Sequence, residues 1–245
     1  MIRVRRKRIG KYAVTARLGG GRYGVCYLAR DKEGNPVVLK RFRRWMWKKN
    51  RDSNHYEAVI LSGLDDPRIP ALLGVINSRQ GYYFVMEYKE GIPIEALLFK
   101  DGKVFSDKEI YEIGCQLLDI LVYLHDHSVV HGDISPANVL DDKGRICLID
   151  FGLARYENGC SEKFDLDYAR FADLLLYLIY SSYQGKGKKA WYEDEALVLT
   201  EKKRHFLKRM LGLERQGFKD TREVREAFDR CFSVTDEWDK NNMGG

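Results

Sequence analysis

The chain has 245 residues, 44% of them hydrophobic, and a net charge of +6. That apolar share excludes a disordered chain and is enough for one substantial core or for two small lobes around a cleft. The most apolar run, residues 174–180, is far too short to cross a bilayer, and the basic start at residues 1–11 is followed by no continuous apolar stretch, so neither a membrane span nor a signal peptide is expected.

The first third reads as strands. Residues 12–18 alternate in part, residues 25–29 continue the pattern, and Lys32-Glu33-Gly34-Asn35-Pro36 is a turn. Val37-Val38-Leu39 reads as a third strand. Residues 52–64 predict a helix with Tyr56, Val59, Ile60 and Leu64 on one side. Residues 82–88 form an apolar, aromatic strand, which Lys89-Glu90-Gly91-Ile92-Pro93 breaks. Beyond that break the chain becomes helical. Ser106 followed by Glu109 is a capping box, and it opens an amphipathic helix through Ile110, Ile113, Leu117, Leu118, Leu121 and Leu124. Residues 166–183 predict a very apolar helix, and 201–211 and 222–232 two more. The pattern predicts an α+β chain: a β-rich lobe over 1–88, a helical lobe over 89–235 and a frayed polar tail over 236–245.

Charge and cysteine content add two expectations. One basic run, Lys40, Arg41, Arg43, Arg44, Lys48, Lys49 and Arg51, is interleaved with Trp45 and Trp47. Such a run can track a nucleic-acid backbone, although a solvated basic face is the commoner meaning. The five cysteines, Cys26, Cys115, Cys147, Cys160 and Cys231, are odd in number and lack the close spacing of a zinc or dithiol site, which suits a reducing cytoplasm.

Four motifs carry chemistry. Gly19-Gly20-Gly21-Arg22-Tyr23-Gly24 is a G-x-G-x-x-G loop followed by a strand rather than a helix, so it joins two strands and lets backbone approach phosphate oxygens. Lys40 ends the strand Val37-Val38-Leu39, and Glu57 on the next helix is its candidate partner. His131-Gly132-Asp133-Ile134-Ser135-Pro136-Ala137-Asn138 puts an aspartate and an asparagine at the spacing of a phosphoryl-transfer loop. Asp133 can orient an attacking hydroxyl, while Asn138 offers an oxygen to magnesium. Leu148-Ile149-Asp150-Phe151-Gly152 places a second magnesium-binding oxygen at a strand end.

In this order, the four motifs make the chain resemble a eukaryotic-type (Hanks-type) serine/threonine protein kinase of a compact kind, over residues 12–232. The resemblance implies a two-lobed kinase fold and ATP- and Mg2+-dependent transfer to a protein. It implies that Leu18, Cys26, Val38 and Leu140 sandwich the base. Met86 would be the gatekeeper, with Glu87 carbonyl and Lys89 amide on the adenine edge. Leu61, His131 and Phe151 would form a packed column between lobes. The chain departs from the pattern at Gly132, where an arginine usually stands, and at Ser135, where a lysine does. It also has little chain between Asp150 and Leu166, and no A-P-E motif there. A small-molecule phosphotransferase of the antibiotic or choline kind would suit His131-Gly132-Asp133, but Phe151-Gly152 and the glycine loop suit it less. The short segment would suit a tRNA-modification-associated ATPase, which the intact glycine loop disfavours. A pseudokinase would be expected to lack Lys40, Asp133 or Asp150.

Overall fold

The computed structural model of the chain describes residues 7–20, 24–42, 51–157, 164–183 and 199–233. Gly21, Arg22 and Tyr23 of the glycine loop, most of the basic run with Trp45 and Trp47, Cys160, and the expected tail lie outside the described residues.

The first lobe is an antiparallel sheet of β1 (Lys7–Ile9), β2 (Tyr12–Gly20), β3 (Gly24–Arg30), β4 (Pro36–Phe42), β5 (Leu72–Ser78) and β6 (Gly81–Glu87), in the order β1-β2-β3-β4-β6-β5. Helix α1 (Arg51–Ser62) lies between β4 and β5 in sequence. Alternation along β4 decides what faces where. Val37 and Leu39 point outward and join Ile9, Tyr12, Val14, Ala29, Tyr83 and Val85 in an outer cluster. Phe42, Phe84 and Met86 belong to the main core instead. Lys40 follows the same alternation to that inner face, opposite Cys26 on β3 and Phe84 on β6. The turn before β4 is held by Asp31, whose carboxylate accepts from Asn35 N at 2.8 Å and Asn35 Nδ2 at 3.0 Å. At the start of β3 an added Cβ on Gly24 would stand 2.2 Å from the Arg41 carbonyl oxygen, so only glycine lets these strands lie so close.

Two expectations are corrected here. The helix presents Glu57, Ile60 and Leu61 to the interior, while Val59 is 53% exposed. It packs beside a cleft rather than across an apolar floor, so its buried side includes a carboxylate that an apolar count misplaces. Lys40 is no member of a solvated basic face, since it is buried, and Arg41 lies over the Tyr83 ring at 5.9 Å.

The second lobe holds β7 (Ile92–Pro93), α2 (Ile94–Phe99), α3 (Asp107–Asp126), β8 (Val129–Val130), β9 (Val139–Asp142), β10 (Arg145–Leu148), β11 (Arg155–Tyr156), α4 (Asp165–Tyr180), α5 (Glu201–Met210) and α6 (Thr221–Phe232). The expected capping box starts α3: Glu109 N donates to Ser106 Oγ at 3.3 Å, and Ser106 N donates to Glu109 Oε2 at 2.9 Å. The Ser106 backbone bond, with Ser106 and Lys103 side-chain bonds, pulls the Glu109 carboxyl down to about 2. The 3.6-residue repeat buries Leu117, Leu121 and Leu124 against Phe171, Leu175 and Leu178 of α4 and Phe228 of α6. Each such side chain contributes roughly 1.5–3 kcal/mol of burial. Gly114 lets α6 approach α3, since a Cβ there would meet the Phe228 ring at 2.2 Å. Small antiparallel pairings, β10-β9-β7 and β11-β8, frame the loops that face the first lobe. Among the described residues no helix is long and apolar enough to cross a membrane.

Candidate active site

Three charged groups meet where β4, α1 and the strand end after β10 converge. Lys40 Nζ lies 2.6 Å from Glu57 Oε1 and 2.7 Å from Asp150 Oδ1. Burial alone would drive the Lys40 ammonium toward neutrality, but the two carboxylates overcome it and hold its pKa above the ordinary value. Burial pushes the Glu57 carboxyl up, with Lys40 opposing. At Asp150, whose side chain is half exposed, Lys40 outweighs burial and the carboxyl sits below its usual range. Lys40 is thus held between a buried carboxyl and one whose side chain is half open to the cleft. Asp150 has φ 63, a left-handed conformation costly for a residue with a side chain. The next turn needs glycine for space: a Cβ at Gly152 would lie 3.0 Å from Lys40 Nζ and 3.1 Å from Asp150 Oδ1.

The loop between β8 and β9 supplies the second group. Asn138 Nδ2 donates to the Asp133 carbonyl at 2.8 Å and to Asp133 Oδ2 at 3.0 Å. Both donors of the amide are spent on Asp133, which leaves the carbonyl oxygen of Asn138 as its acceptor end. The loop is anchored from below by Asp167 on α4, fully buried, which accepts from His131 N at 2.8 Å and Gly132 N at 2.7 Å. Asp167 also lies 3.0 Å from His125 Nε2, and His125 Nδ1 lies 2.6 Å from Thr221 Oγ1. Burial would raise the Asp167 carboxyl, but the bond to His125 and the backbone donor of Gly132 hold it below its usual range. Burial lowers His131, so its ring is neutral; Nε2–H donates to the Ile149 carbonyl at 3.2 Å, and Nδ1 accepts from Asp133 N at 3.3 Å. The same ring meets Phe151 edge-on at 4.7 Å, and Leu61, His131 and Phe151 are all buried between the lobes.

A cavity of about 570 Å³ lies between these groups and the sheet. Leu18, Gly19, Gly20, Gly24, Cys26 and Val38 line its upper side, with Lys40. Met86, Glu87 and Lys89 line the connection between lobes, and Asn138, Leu140 and Asp150 the lower side. Glu57 stands behind Lys40, and Asp133 beside Asn138. Every described residue expected at the site is thus brought to it. Lys89 turns its ammonium away, to the Pro67 carbonyl at 2.7 Å and Glu87 Oε1 at 2.8 Å. Burial raises the Cys26 thiol to about 11, so it stays protonated and apolar in the wall.

Besides the expected residues, the lining includes Tyr88 and also Pro70, Gly91, Pro93, Glu95, Ala137 and Ile149, which the sequence reading missed along with Asp167. A signal for Asp167 existed: it sits on the apolar stripe of α4, in register with Phe171, Leu174 and Leu178. A carboxylate there must be paired. No sequence signal pointed to the place of Arg155. Gly132 has φ 78, and a Cβ on it would lie 3.5 Å from Arg155 Nη1. The Leu153 carbonyl oxygen is nearer still, at 3.0 Å, so backbone and the Arg155 guanidinium together border the residue that replaces the usual arginine.

The two hard oxygens, from Asn138 and Asp150, suit magnesium, which is commonly held by one or two protein oxygens together with substrate phosphates. Among the described residues no group of three or more acidic, histidine or cysteine side chains would hold a metal by itself. The donor set therefore fits an ion that arrives with a nucleotide.

A family model described as protein kinase domain matches residues 12–173. Among curated proteins, the probable serine/threonine-protein kinase YbdM of Bacillus subtilis is 36% identical over 237 residues, covering 92% of this chain and 91% of that protein. The serine/threonine-protein kinase PrkC of the same organism is 32% identical over 153 residues, 60% of this chain but 24% of that protein. PknA of Nostoc, also a serine/threonine-protein kinase, is 31% identical over 161 residues, 61% of this chain and 28% of its own length. With a kinase family match over most of the chain, a full-length kinase relative and the fold these imply, this chain belongs to the protein kinase domain family, as a Hanks-type serine/threonine kinase.

Proposed function

We propose that this kinase binds ATP with magnesium in the 570 Å³ cavity, with the lobe boundary between residues 88 and 89, and phosphorylates serine or threonine hydroxyls of a protein. The observation that carries the reading is the joining of Lys40, Glu57 and Asp150 within 2.7 Å, on the same cavity as the bonded pair Asp133 and Asn138. Leu18, Cys26, Val38 and Leu140 take the base, and the backbone at Glu87 and Lys89 its polar edge. Lys40, fixed by Glu57, holds phosphate oxygens together with the glycine loop. Magnesium, when bound by Asn138 and Asp150, neutralises charge on the phosphates. Asp133 orients the acceptor hydroxyl. Its oxygen bonds to the γ-phosphorus, the bond to the bridging oxygen breaks, ADP leaves, and Asp133 accepts the hydroxyl proton. Positioning and electrostatics supply most of the rate. The four described cysteines are free thiols, in keeping with a reducing cytoplasm as the compartment.

The test is to incubate purified protein with γ-labelled ATP, with and without magnesium, alone and with a serine- and threonine-containing protein mixture. Magnesium-dependent label on serine or threonine is expected. Label appearing only on small molecules would replace the protein acceptor with a metabolite.

A further inference from the structure

The chain's charge is unevenly placed. Residues 1–51 hold 17 of its 42 lysines and arginines but 2 of its 36 acidic residues, so this stretch carries +15 and the remainder −9. A contrast of that size between two parts of one chain points to a polyanionic partner. Among the described side chains of the stretch, Lys40 alone meets carboxylates. Arg8, Lys11, Arg17, Arg30, Lys32 and Arg41 form no ion pair there; Arg8 donates to the Lys11 carbonyl at 2.9 Å and Arg30 to the Gly34 carbonyl at 2.6 Å. The second lobe treats its arginines otherwise, bridging Arg222 to Asp126 and Arg225 to Asp119.

The sheet gathers part of this charge on one face. Side chains directly opposite on neighbouring strands point to the same side, and so does every second residue along a strand. Arg17 of β2 stands opposite Tyr27 of β3, Tyr27 opposite Leu39 of β4, and Arg41, two residues on, opposite Tyr83 of β6. Arg17, Tyr27, Arg41 and Tyr83 therefore share the face of the outer cluster, whereas Leu18, Cys26 and Lys40 alternate to the nucleotide cavity on the reverse. Two glycines leave room for the guanidinium groups to lie along the sheet. A Cβ on Gly20 would stand 2.8 Å from Arg17 Nη2, and one on Gly81 3.2 Å from Arg41 Nε. Exposed Arg79 lies in the turn just before Gly81.

Spacing and chemistry choose the partner. Arg17 and Arg41 are two strands apart, roughly 10 Å at the ordinary strand spacing. They do not converge on one small anion but follow an extended row of negative charges. Guanidinium suits phosphate in particular, since it offers two parallel donors. Stable binding to a bilayer combines charge with inserted apolar groups, and this face presents none that are large and exposed. Leu18 lines the nucleotide cavity, while Leu73 and Val75 belong to the edge strand β5, with Val75 opposite Phe84 on the reverse face.

We propose that this face of the first-lobe sheet, with Arg17, Arg41 and Arg79, binds the phosphate backbone of a nucleic acid without regard to base sequence. The nucleotide cavity stays free, because it lies on the other side of the sheet. The proposal therefore stands apart from the reading of the cleft.

The experiment is fluorescence anisotropy of the full chain with labelled random-sequence RNA and DNA, single-stranded and duplex, over a salt series from about 50 to 200 mM. Wild type should bind, with log K falling linearly against log salt. Arg17→Gln with Arg79→Gln, which deletes no core packing, should make that slope shallower by roughly 0.7–0.9 for each arginine lost, and adding Arg41→Gln by as much again. The melting temperature of the double variant should match wild type, so that a shallower slope reads as lost contacts. Phosphatidylserine vesicles and sedimentation of the protein alone are the comparison arms. No nucleic-acid binding by wild type, or a slope unchanged in the variants, overturns the proposal. So does tighter binding to the vesicles, which would give the face to a lipid surface. A salt-sensitive dimer that the variants abolish would give it to the acidic remainder of a second copy, and overturns the proposal equally.

Discussion

Lys40 faces two carboxylates at 2.6 and 2.7 Å, and only one of them, Asp150, has its side chain half open to the cleft. On the proposed reading, that asymmetry would give Glu57 a fixing role and Asp150 a ligand role. Replacing Asp150 by Asn keeps the shape and removes the charge from the metal side. Mg-ATP should then no longer raise the melting temperature as it does in wild type; an equal shift in the variant would move the metal elsewhere. Asp133 belongs to a different step. Its carboxylate is held by Asn138 at 3.0 Å, and on the proposed reading it meets the acceptor hydroxyl. Asp133→Ala should lower kcat by roughly 10²–10⁴-fold, the range for a positioned acid–base group, with ATP affinity little changed. Undiminished phosphotransfer would place the acceptor site elsewhere.

Helix α4 does two jobs with one stripe. Phe171, Leu174, Leu175 and Leu178 fill the core, and Asp167, one turn before Phe171, holds the loop backbone at His131 and Gly132. The carboxyl of Asp167 titrates lower in the folded chain than in the unfolded one. Its stabilisation is therefore complete above the ordinary aspartate pKa of about 4 and is lost as pH falls through the folded value. Asp167→Asn should cost about 1.5–3 kcal/mol at neutral pH, the size of a lost charge-assisted hydrogen bond. Its urea midpoint should also fall less steeply than that of wild type on acidification. Parallel acid limbs for the two proteins would mean that Asp167 is not the titrating anchor.

At the scale of the molecule, the lobes are joined by packing. Leu61 of α1 lies in the same core as Phe151, whose ring meets His131 edge-on, and the Tyr156 hydroxyl of β11 stands 3.5 Å from where a Cβ on Gly63, just past α1, would be. Strand β11 is itself fixed to β8, with Arg155 opposite Val130 and Tyr156 opposite Val129. The Lys40–Glu57 contact thus has its support without a phosphate bridging activation segment and helix. Phosphatase treatment, and separately Tyr156→Phe with Ser161→Ala, should leave kcat within about 2-fold, a barrier change of about 0.4 kcal/mol. A collapse rescued by rephosphorylation would instead give Arg155, beside Gly132, the task of gripping a phosphate. Of the basic run, Lys40 lies in the buried charged cluster and Arg41 covers Tyr83, while residues 43–50 lie outside the described residues.

The sequence by itself determined the chemistry and most of the elements. A glycine loop between strands, a lysine at a strand end, Asp133 and Asn138 five residues apart and Asp150 before Phe151-Gly152 are local patterns, set by spacing along the chain. The capping box before α3 is local as well, and it was legible for that reason. Strand β5 was not, because Gly74 interrupts it and Asn77-Ser78 end it on an edge of the sheet, where only β6 supplies hydrogen bonds. The buried side of α1 escaped for a related reason: a carboxylate can be interior only where a distant lysine meets it, and Lys40 lies 17 residues away. Tertiary structure alone decided that Asp167 reaches back 36 residues to His131 and that Arg155 stands beside Gly132. It also decided that the rings of Phe99 and Tyr177, 78 positions apart in sequence, meet edge-to-face. Sequence records which groups a chain possesses, but close approach between remote groups is set by how the lobes pack, and buried charge is tolerated only where that packing brings it a partner.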